Sequence, residues 1–473
     1  MTMKKIKPGI SLCMIVKNEE RSLSRCLQSI KNLADQIIVV DTGSKDSTVD
    51  IAKSFNAEIF YFDWIDDFSA ARNESLKYAN REWIIFLDAD EYLDAESIDE
   101  IKSFSSAYKH PTAFEFRVLS DTGTQNPNES RVIRMFSNGF QISFNNKVHE
   151  QITTSIKKIN AKILRVNAKI FHDGYNESVV DQKSKQERNI SLLKSMMKEE
   201  PDFYYWPYNL AISYMSIGKN DLAVKYLKDS YDDNLHINIK SAILNLLGGI
   251  YKTEGNWSES FSNAQKSINM VQNQFLGYLL MIYFYNHKQD YNNELKYIDL
   301  LQSQHDQLLK NGSDLNNDIS VSFKNLQNLK AIALYNTRDF DSAQIVFDDL
   351  LIEMKNKFYK KELNKYDEEL YVNILKSSIG CARDSNNVDK VIDLVQEYIE
   401  IFSNDYNGYS LLGEAFTIAN KYNDALKVYL KANSLFPDNT DIQKKIATMF
   451  TLLGNEKKAE EWLYKMAGIS DLP

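Results

Sequence analysis

Asp88 and Asp90 stand two residues apart directly after the apolar run 83–87, so a strand ending at Leu87 carries two carboxylates at its polar end. Two oxygen ligands with open positions suit Mg²⁺ or Mn²⁺, which share their coordination with substrate phosphates rather than enter closed protein cages. The pair therefore predicts a metal-bridged diphosphate. Arg72 lies in Asp67-Phe68-Ser69-Ala70-Ala71-Arg72-Asn73, where Ser69 is suited to cap a helix running to Tyr78 and to put Arg72 in its first turn. A guanidinium beside a helix N-terminus meets a diphosphate by charge and by its bidentate fork. The alternative is a surface ion pair with Asp66 or Asp67. Arg131 and Arg134 are further cations of this kind. Of the six histidines, His149 (before Glu150) and His172 (in Phe171-His172-Asp173) draw notice, because a neutral imidazole is an acceptable Mn²⁺ ligand. Asp41, ahead of Thr42-Gly43, is either a turn former or a carboxylate able to accept N–H and hydroxyl donors.

A frame must hold these groups. Up to about residue 120 the chain alternates short apolar runs with helical patterns, the signature of a parallel α/β sheet. Strands are expected at 10–16, 37–40, 58–62 and 83–87, with helical faces at Leu23, Cys26, Leu27, Ile30 and Leu33 and at Val49, Ile51, Ala52 and Phe55. Ligands of such sheets sit at the carboxyl ends of the strands. Here those ends carry Asn18-Glu19, Asp41 and Asp88-Ala89-Asp90. Beyond Tyr204 the character changes: no proline occurs between Pro207 and Pro437, and Leu, Tyr, Ala and Lys recur at helical spacing. Ile379, Gly413 and Ala447 are 34 residues apart, as are Val391, Ala425 and Ala459. That period belongs to tetratricopeptide repeats, and about five to seven helical hairpins are expected, with a polar insertion at 302–320. Paired small residues let the two helices of a hairpin approach, and the hairpins then stack.

Composition narrows the partners. With 43% apolar and 26% charged residues, 16 Gly and 7 Pro in 473 residues, the chain is neither collagenous nor broadly disordered. A net charge of −9 argues against nucleic acid or an anionic membrane as main partner, so an anionic ligand needs local charge or a metal. Cys13, Cys26 and Cys381 form no CxxC pair, which fits a reducing compartment and neither a disulfide framework nor a zinc site. The basic start and the apolar run 10–16 read as a buried strand, since Ser11 interrupts the run and Lys17-Asn18-Glu19-Glu20 replaces a cleavage site. No window approaches the ~20 apolar residues of a spanning helix. A soluble, cytoplasmic protein without a membrane span is the expectation.

The segments ISLCMIVKNEERSLSRCLQSI (10–30), IIVVDTGSKDST (37–48), DFSAARNESLKYA (67–79) and EWIIFLDADE (82–91), in this order, resemble the nucleotide-diphospho-sugar half of family 2 glycosyltransferases with the GT-A fold. Together with RVIRMF (131–136), KVHEQI (147–152), FHDGY (171–175) and the repeats that follow, they are similar to the subgroup that includes peptide S-glycosyltransferases acting on glycocin bacteriocins. The resemblance implies an α/β GT-A catalytic domain (Rossmann-like, mostly parallel sheet) over 1–200 and an all-α tetratricopeptide-like solenoid over 201–473. It implies a UDP-sugar donor, UDP-glucose favoured, with Mg²⁺ or Mn²⁺, and an inverting transfer of a hexose to a Cys or Ser side chain of an acceptor peptide. Carried over by position, Val16, Asn18, Glu19 and Asp41 become donor contacts, Asp41 the one to uridine. Asp88 becomes a ribose or metal contact, Asp90 the principal metal ligand, and Ala89 between them a further substrate contact. Arg72 and Arg134 contact the diphosphate, His172 completes the metal site with His149 as rival, and Glu150, beside His149, is the general base. Thr42 stands where many relatives carry a second Asp, which leaves the base contact open. A homodimer through the repeats is also implied. Two other readings stay open: a transferase extending cell-surface glycans, for which an anchor is expected, and a non-catalytic repeat scaffold.

Overall fold

Along the first strand, β1 (Lys7–Val16), side chains alternate between two cores: Ile10, Leu12, Met14 and Val16 enter one, Cys13 the other. The same alternation recurs in β2 (Gln36–Asp41), where Val39 and Ile38 face opposite cores, so the sheet is buried on both sides as a parallel α/β sheet requires. The computed structural model describes residues 6–108, 111–120, 128–172, 179–200, 203–272, 274–310 and 323–466. The remaining strands are β3 (Glu58–Tyr61), β4 (Arg81–Phe86), β5 (Glu91–Leu93), β6 (Thr112–Ser120), β7 (Asn128–Ser137) and β8 (Lys162–His172). They form one sheet in the order β3-β2-β1-β4-β7-β6-β8-β5. The first four are parallel, as the alternation with helices predicts. Past β4 the sheet is mixed: β7 runs antiparallel to β4 and β6, β8 parallel to β6, and β5 antiparallel to β8. Six helices accompany it: α1 (Leu23–Ile30), α2 (Thr48–Ser54), α3 (Phe68–Leu76), α4 (Ser97–Ala107), α5 (Thr153–Lys158) and α6 (Val179–Glu199).

Fourteen further helices, α7 (Tyr205–Ser216) to α20 (Glu456–Met466), follow as seven successive pairs among the described residues. In every pair three residues separate the helices, and the middle one has a positive φ: Gly218, Gly255, Gln289, Arg338, Asn386, Asn420 and Gly454. This is the left-handed stop that ends a helix and lets the chain reverse. The last three lie 34 residues apart, so the repeat period is written in the turns. The predicted polar insertion begins inside α12 (Tyr291–Lys310), and residues 311–320 of it lie outside the described residues.

The chain divides into two compact units, Met1–Leu280 with Gln307–Ser320, and Met281–Asp306 with Val321–Pro473. In the first, α6, α7, α8 (Asn220–Ser230) and α9 (Ile237–Thr253) build a core from Leu193, Trp206, Leu210, Leu227 and Leu247, and the sheet domain contributes Val148 and Phe68 to it. In the second, Phe347, Tyr371, Ile374, Val395, Tyr429 and Ile446 run through one continuous core. There Gly413, in α17 (Tyr406–Ile418), sits so close to Tyr429, in α18 (Tyr422–Leu435), that a Cβ would fall 2.3 Å from the ring. Gly249, in α9 (Ile237–Thr253), has nothing within 4 Å. Gly413→Ala therefore lowers stability by about 1–3 kcal/mol through overpacking. Gly249→Ala raises it by about 0.5–1 kcal/mol through helix propensity. Thermal melts followed by circular dichroism check the opposite signs.

Candidate active site

The site is assembled around α3. Its N-cap is Asp67, whose carboxylate accepts from Ala70 N at 2.9 Å, while the hydroxyl of Ser69, the expected cap, is spent on Asp67 itself at 2.8 Å. The helix starts two residues earlier than a Ser69 cap allows and ends at Leu76. Arg72 thus falls in the second turn rather than the first, and points inward. Its Nη2 donates to Asp88 Oδ1 at 2.7 Å and its Nε to Glu150 Oε1 at 2.6 Å, with the guanidinium flanked by the rings of Phe86 and Phe144. A surface pair with Asp66 or Asp67 is not what forms.

The next residue, Asn73, bonds Phe144 twice, Nδ2 donating to its carbonyl and Oδ1 accepting from its N–H. Phe144 opens a loop closed by reciprocal bonds between Asn145 and Gln151, with Asn146 and His149 in left-handed conformation. Two consecutive residues of one helix thus hold both ends of the segment that presents His149 and Glu150. His149 Nε2 is buried without a hydrogen-bond partner, and burial pulls the imidazole below its usual range against the pull of Glu150.

After β4, the Asp88–Glu91 turn is closed by Glu91 N on the Asp88 carbonyl and Asp88 N on the Glu91 carboxylate, both at 3.0 Å. Arg134, on β7, lies behind it, with Nη2 on Glu91 at 2.5 Å and Nη1 3.7 Å from Asp88 Oδ2. Burial would raise the Asp88 carboxyl, but Arg72 and Arg134 hold it down at about 2. Glu91 is pushed up to about 7, burial outweighing the attraction of Arg134. The pairing of β5 with β8 places His172 opposite Glu91 and brings its Nε2 within 3.3 Å of Asp90 Oδ2, and this bond raises the His172 pKa.

These groups line a cavity of about 990 Å³. Of the residues expected from sequence, Val16, Asn18, Glu19, Arg72, Asp88, Ala89, Asp90, His149, Glu150 and His172 share that wall. Asp41 does not: it is buried at the end of β2, its carboxylate accepting from Gly43 N and Ser44 N, the turn-forming option. Arg134 reaches the site through Asp88 and Glu91, and Arg131 donates to the Val166 carbonyl. Asn18 and Glu19 are laced to the 44–48 loop, with Asn18 N on Ser44, Lys45 N on Asn18 Oδ1 and Glu19 N on Thr48. Asp173, Gly174 and Tyr175 lie outside the described residues. Sequence reasoning missed Asp46, Trp64, Lys185 and Arg188, which also line the cavity. For the two basic residues the available signal was the three-residue spacing on a helix beyond the motif region.

Among the described residues no group of three or more His, Cys, Asp or Glu is arranged as a metal cage. Asp90 and His172 instead offer one carboxylate and one imidazole side by side at the cavity wall. That donor set fits Mg²⁺ or Mn²⁺ taking its other ligands from a diphosphate and water. Arg72 is the keystone of the array, since removing one partner of a buried pair strands the others. Arg72→Ala is expected to cost about 3–5 kcal/mol of unfolding free energy, and Arg72→Ala with Glu150→Gln less than the sum of the two, as chemical denaturation of both variants will show.

Residues 11–158 match the family model "Glycosyl transferase family 2". A TPR repeat-containing protein of Synechococcus elongatus is 35% identical over 226 residues, 46% of this chain and 55% of that protein. The SPbeta prophage-derived glycosyltransferase SunS of Bacillus subtilis is 34% identical over 238 residues, 48% of this chain and 54% of that protein. The chain thus spans about half the length of these curated relatives. Among solved structures, a tetratricopeptide repeat protein from Parabacteroides merdae is 13% identical, with 57% of this chain and 93% of that one covered at a TM-score of 0.33. No helix among the described residues is long and apolar enough to cross a membrane. The segment 11–158 is therefore a glycosyl transferase family 2 domain, with helical repeats on its C-terminal side.

Proposed function

We propose that the protein transfers a hexose from a UDP-sugar, UDP-glucose favoured, to a Cys or Ser side chain of a peptide, with inversion at the anomeric carbon. The observation that carries this reading is the meeting of two devices in one cavity: Asp90 with His172, and Glu150 held by Arg72. Asp90 and His172 would hold a divalent cation, Asp88 lying beside them, and the cation would neutralise charge on the departing diphosphate. Arg72 supplies fixed positive charge at the same place. Glu150 is positioned to take the proton of the acceptor hydroxyl or thiol, and burial of the Arg72–Glu150 pair keeps the carboxylate oriented without reorganisation. Lys185 and Arg188, from α6, add positive charge to the cavity wall in a chain of net charge −9, which favours an anionic donor.

The cytoplasm is the location that this reading implies, and the three cysteines, all buried and none in a disulfide, fit it. The repeats are read as the surface that holds the acceptor peptide and a second copy of the chain.

Release of UDP from a panel of UDP-sugars tests the reading. Release is expected only with Mg²⁺ or Mn²⁺ and is abolished by EDTA and by Asp90→Ala, with nucleotide binding retained in the absence of turnover. Metal-independent release, or full activity of Asp90→Ala, rejects it. Glu150→Gln is expected to slow transfer to a Ser peptide by about 10²–10⁴-fold, the worth of a general base. A matched Cys peptide suffers less, because a thiol is already a few per cent ionised at neutral pH. Equal losses on the two peptides reject the base role.

A further inference from the structure

The Asp41 carboxylate, expected to meet the nucleobase of the donor, is spent on Gly43 N and Ser44 N and stands outside the cavity wall. The polar side chains that do reach the wall at that end are already bonded. Thr42 Oγ1 donates to the Val16 carbonyl at 3.1 Å, and Asp46 accepts from Glu20 N at 3.1 Å and from Thr48 N at 3.0 Å. What this end offers instead is an indole. Trp64, three residues past β3, lines the cavity half-buried. Its Nε1 donates to Asp66 Oδ1 at 2.8 Å, and Phe68 packs against it with the ring centroids 4.7 Å apart and the planes at 69°. Phe68 is fixed in turn: its N–H donates to the Lys147 carbonyl at 2.9 Å, and the Arg188 guanidinium lies 5.0 Å from its ring. With its N–H used on Asp66, the indole presents a ligand with π-surface rather than with a donor.

We propose that Trp64 is the platform on which the nucleobase of the donor stacks. The inference rests on the transfer reading above and goes beyond it by placing the base. Asp90 and His172, which would hold the cation and with it the diphosphate, stand past the end of β4 and at the end of β8, whereas Trp64 stands past the end of β3. Strands β3, β2, β1 and β4 are successive neighbours in the sheet, so three strand spacings, roughly 14 Å, separate the two ends of the wall. An extended nucleoside diphosphate covers that distance, with its phosphates at the metal end and its base at the indole. The hexose belongs at the metal end, because its anomeric carbon has to lie beside Glu150, and Glu150 shares Arg72 with Asp88 just past β4. Every nucleobase has a π-face, so stacking supplies affinity where the neighbouring carboxylates and hydroxyl are committed to the protein itself.

The test measures UDP binding to the full chain with Mg²⁺ by calorimetry, in the wild type, Trp64→Leu and Trp64→Phe, with inorganic diphosphate as a competitor that has no base. Trp64→Leu is expected to weaken UDP about 5- to 150-fold more than it weakens diphosphate, the worth of one stacked base. Trp64→Phe, which keeps a ring but loses the bond to Asp66, weakens UDP by less than about fivefold. UDP also quenches the wild-type indole fluorescence by an amount that Trp64→Phe lacks, and this comparison carries the test if Trp64→Leu does not fold. Equal losses of UDP affinity in the two variants would assign Trp64 to the Asp66 turn alone and overturn the proposal. So would equal losses for UDP and diphosphate, failure of diphosphate to displace UDP, the same quenching in Trp64→Phe as in the wild type, or a loss for UDP-sugar that UDP does not share, the mark of a hexose platform. A wild type that binds ADP or GDP in place of UDP overturns the UDP-sugar reading alone, and on that nucleotide the same ratio between variants supports or overturns the platform. A wild type that binds no nucleoside diphosphate overturns both.

Discussion

A guanidinium buried between two carboxylates fixes the geometry of everything around it. Arg72 belongs to α3, Asp88 to the turn after β4, and Glu150 to the loop before α5, three parts of the chain with no local reason to meet. A charge so deeply placed is tolerable only when paired, and its planar fork dictates where the partners must stand. The pairing therefore acts as a register device: a strand end and a loop are held against one helix at bonded distances. Arg134 extends the same logic one layer back, through Glu91, to the turn that carries Asp88, Ala89 and Asp90. The outcome is a site whose acidic residues are sorted by environment, Asp88 held ionised and Glu91 raised towards neutrality.

Much of this was legible in the chain, for reasons that differ by residue. The four parallel strands announce themselves as short unbroken apolar runs because both their faces are buried. β6, β7 and β8 do not: Glu115, Arg117, Arg131, Arg165 and Lys169 interrupt their apolar positions, and no strand was expected after Leu87. Asp90, Glu150 and His172 stand in local motifs that single them out, yet that His172 rather than His149 meets Asp90 depends on the pairing of β5 with β8, a long-range fact. The cap of α3 was misplaced by two residues because Asp67 and Ser69 are both good cap residues, and only the backbone trace decides which carboxylate or hydroxyl reaches Ala70 N. Trp64, Lys185 and Arg188 were invisible since nothing in their neighbourhoods says where the chain returns.

In the helical half, the 34-residue period could be read only near the C-terminus. Helix length explains the loss of signal. α14 (Phe340–Tyr359) and α15 (Lys365–Asp384) each have 20 residues, against 13 and 14 in α17 and α18. The extra residues dilate the spacing between hairpins while the three-residue reversal inside each hairpin stays the same.

That constancy has a consequence for how such an array can diversify. If the reversal is invariant and the opposite ends of the helices are not, length is added on one edge alone, at about 1.5 Å per residue, and the tight edge keeps its stacking seam. The difference between α15 and α17 then amounts to a step of roughly 10 Å along the loose edge. New surface relief arises there by insertion, without renegotiating the packing that keeps neighbouring hairpins together.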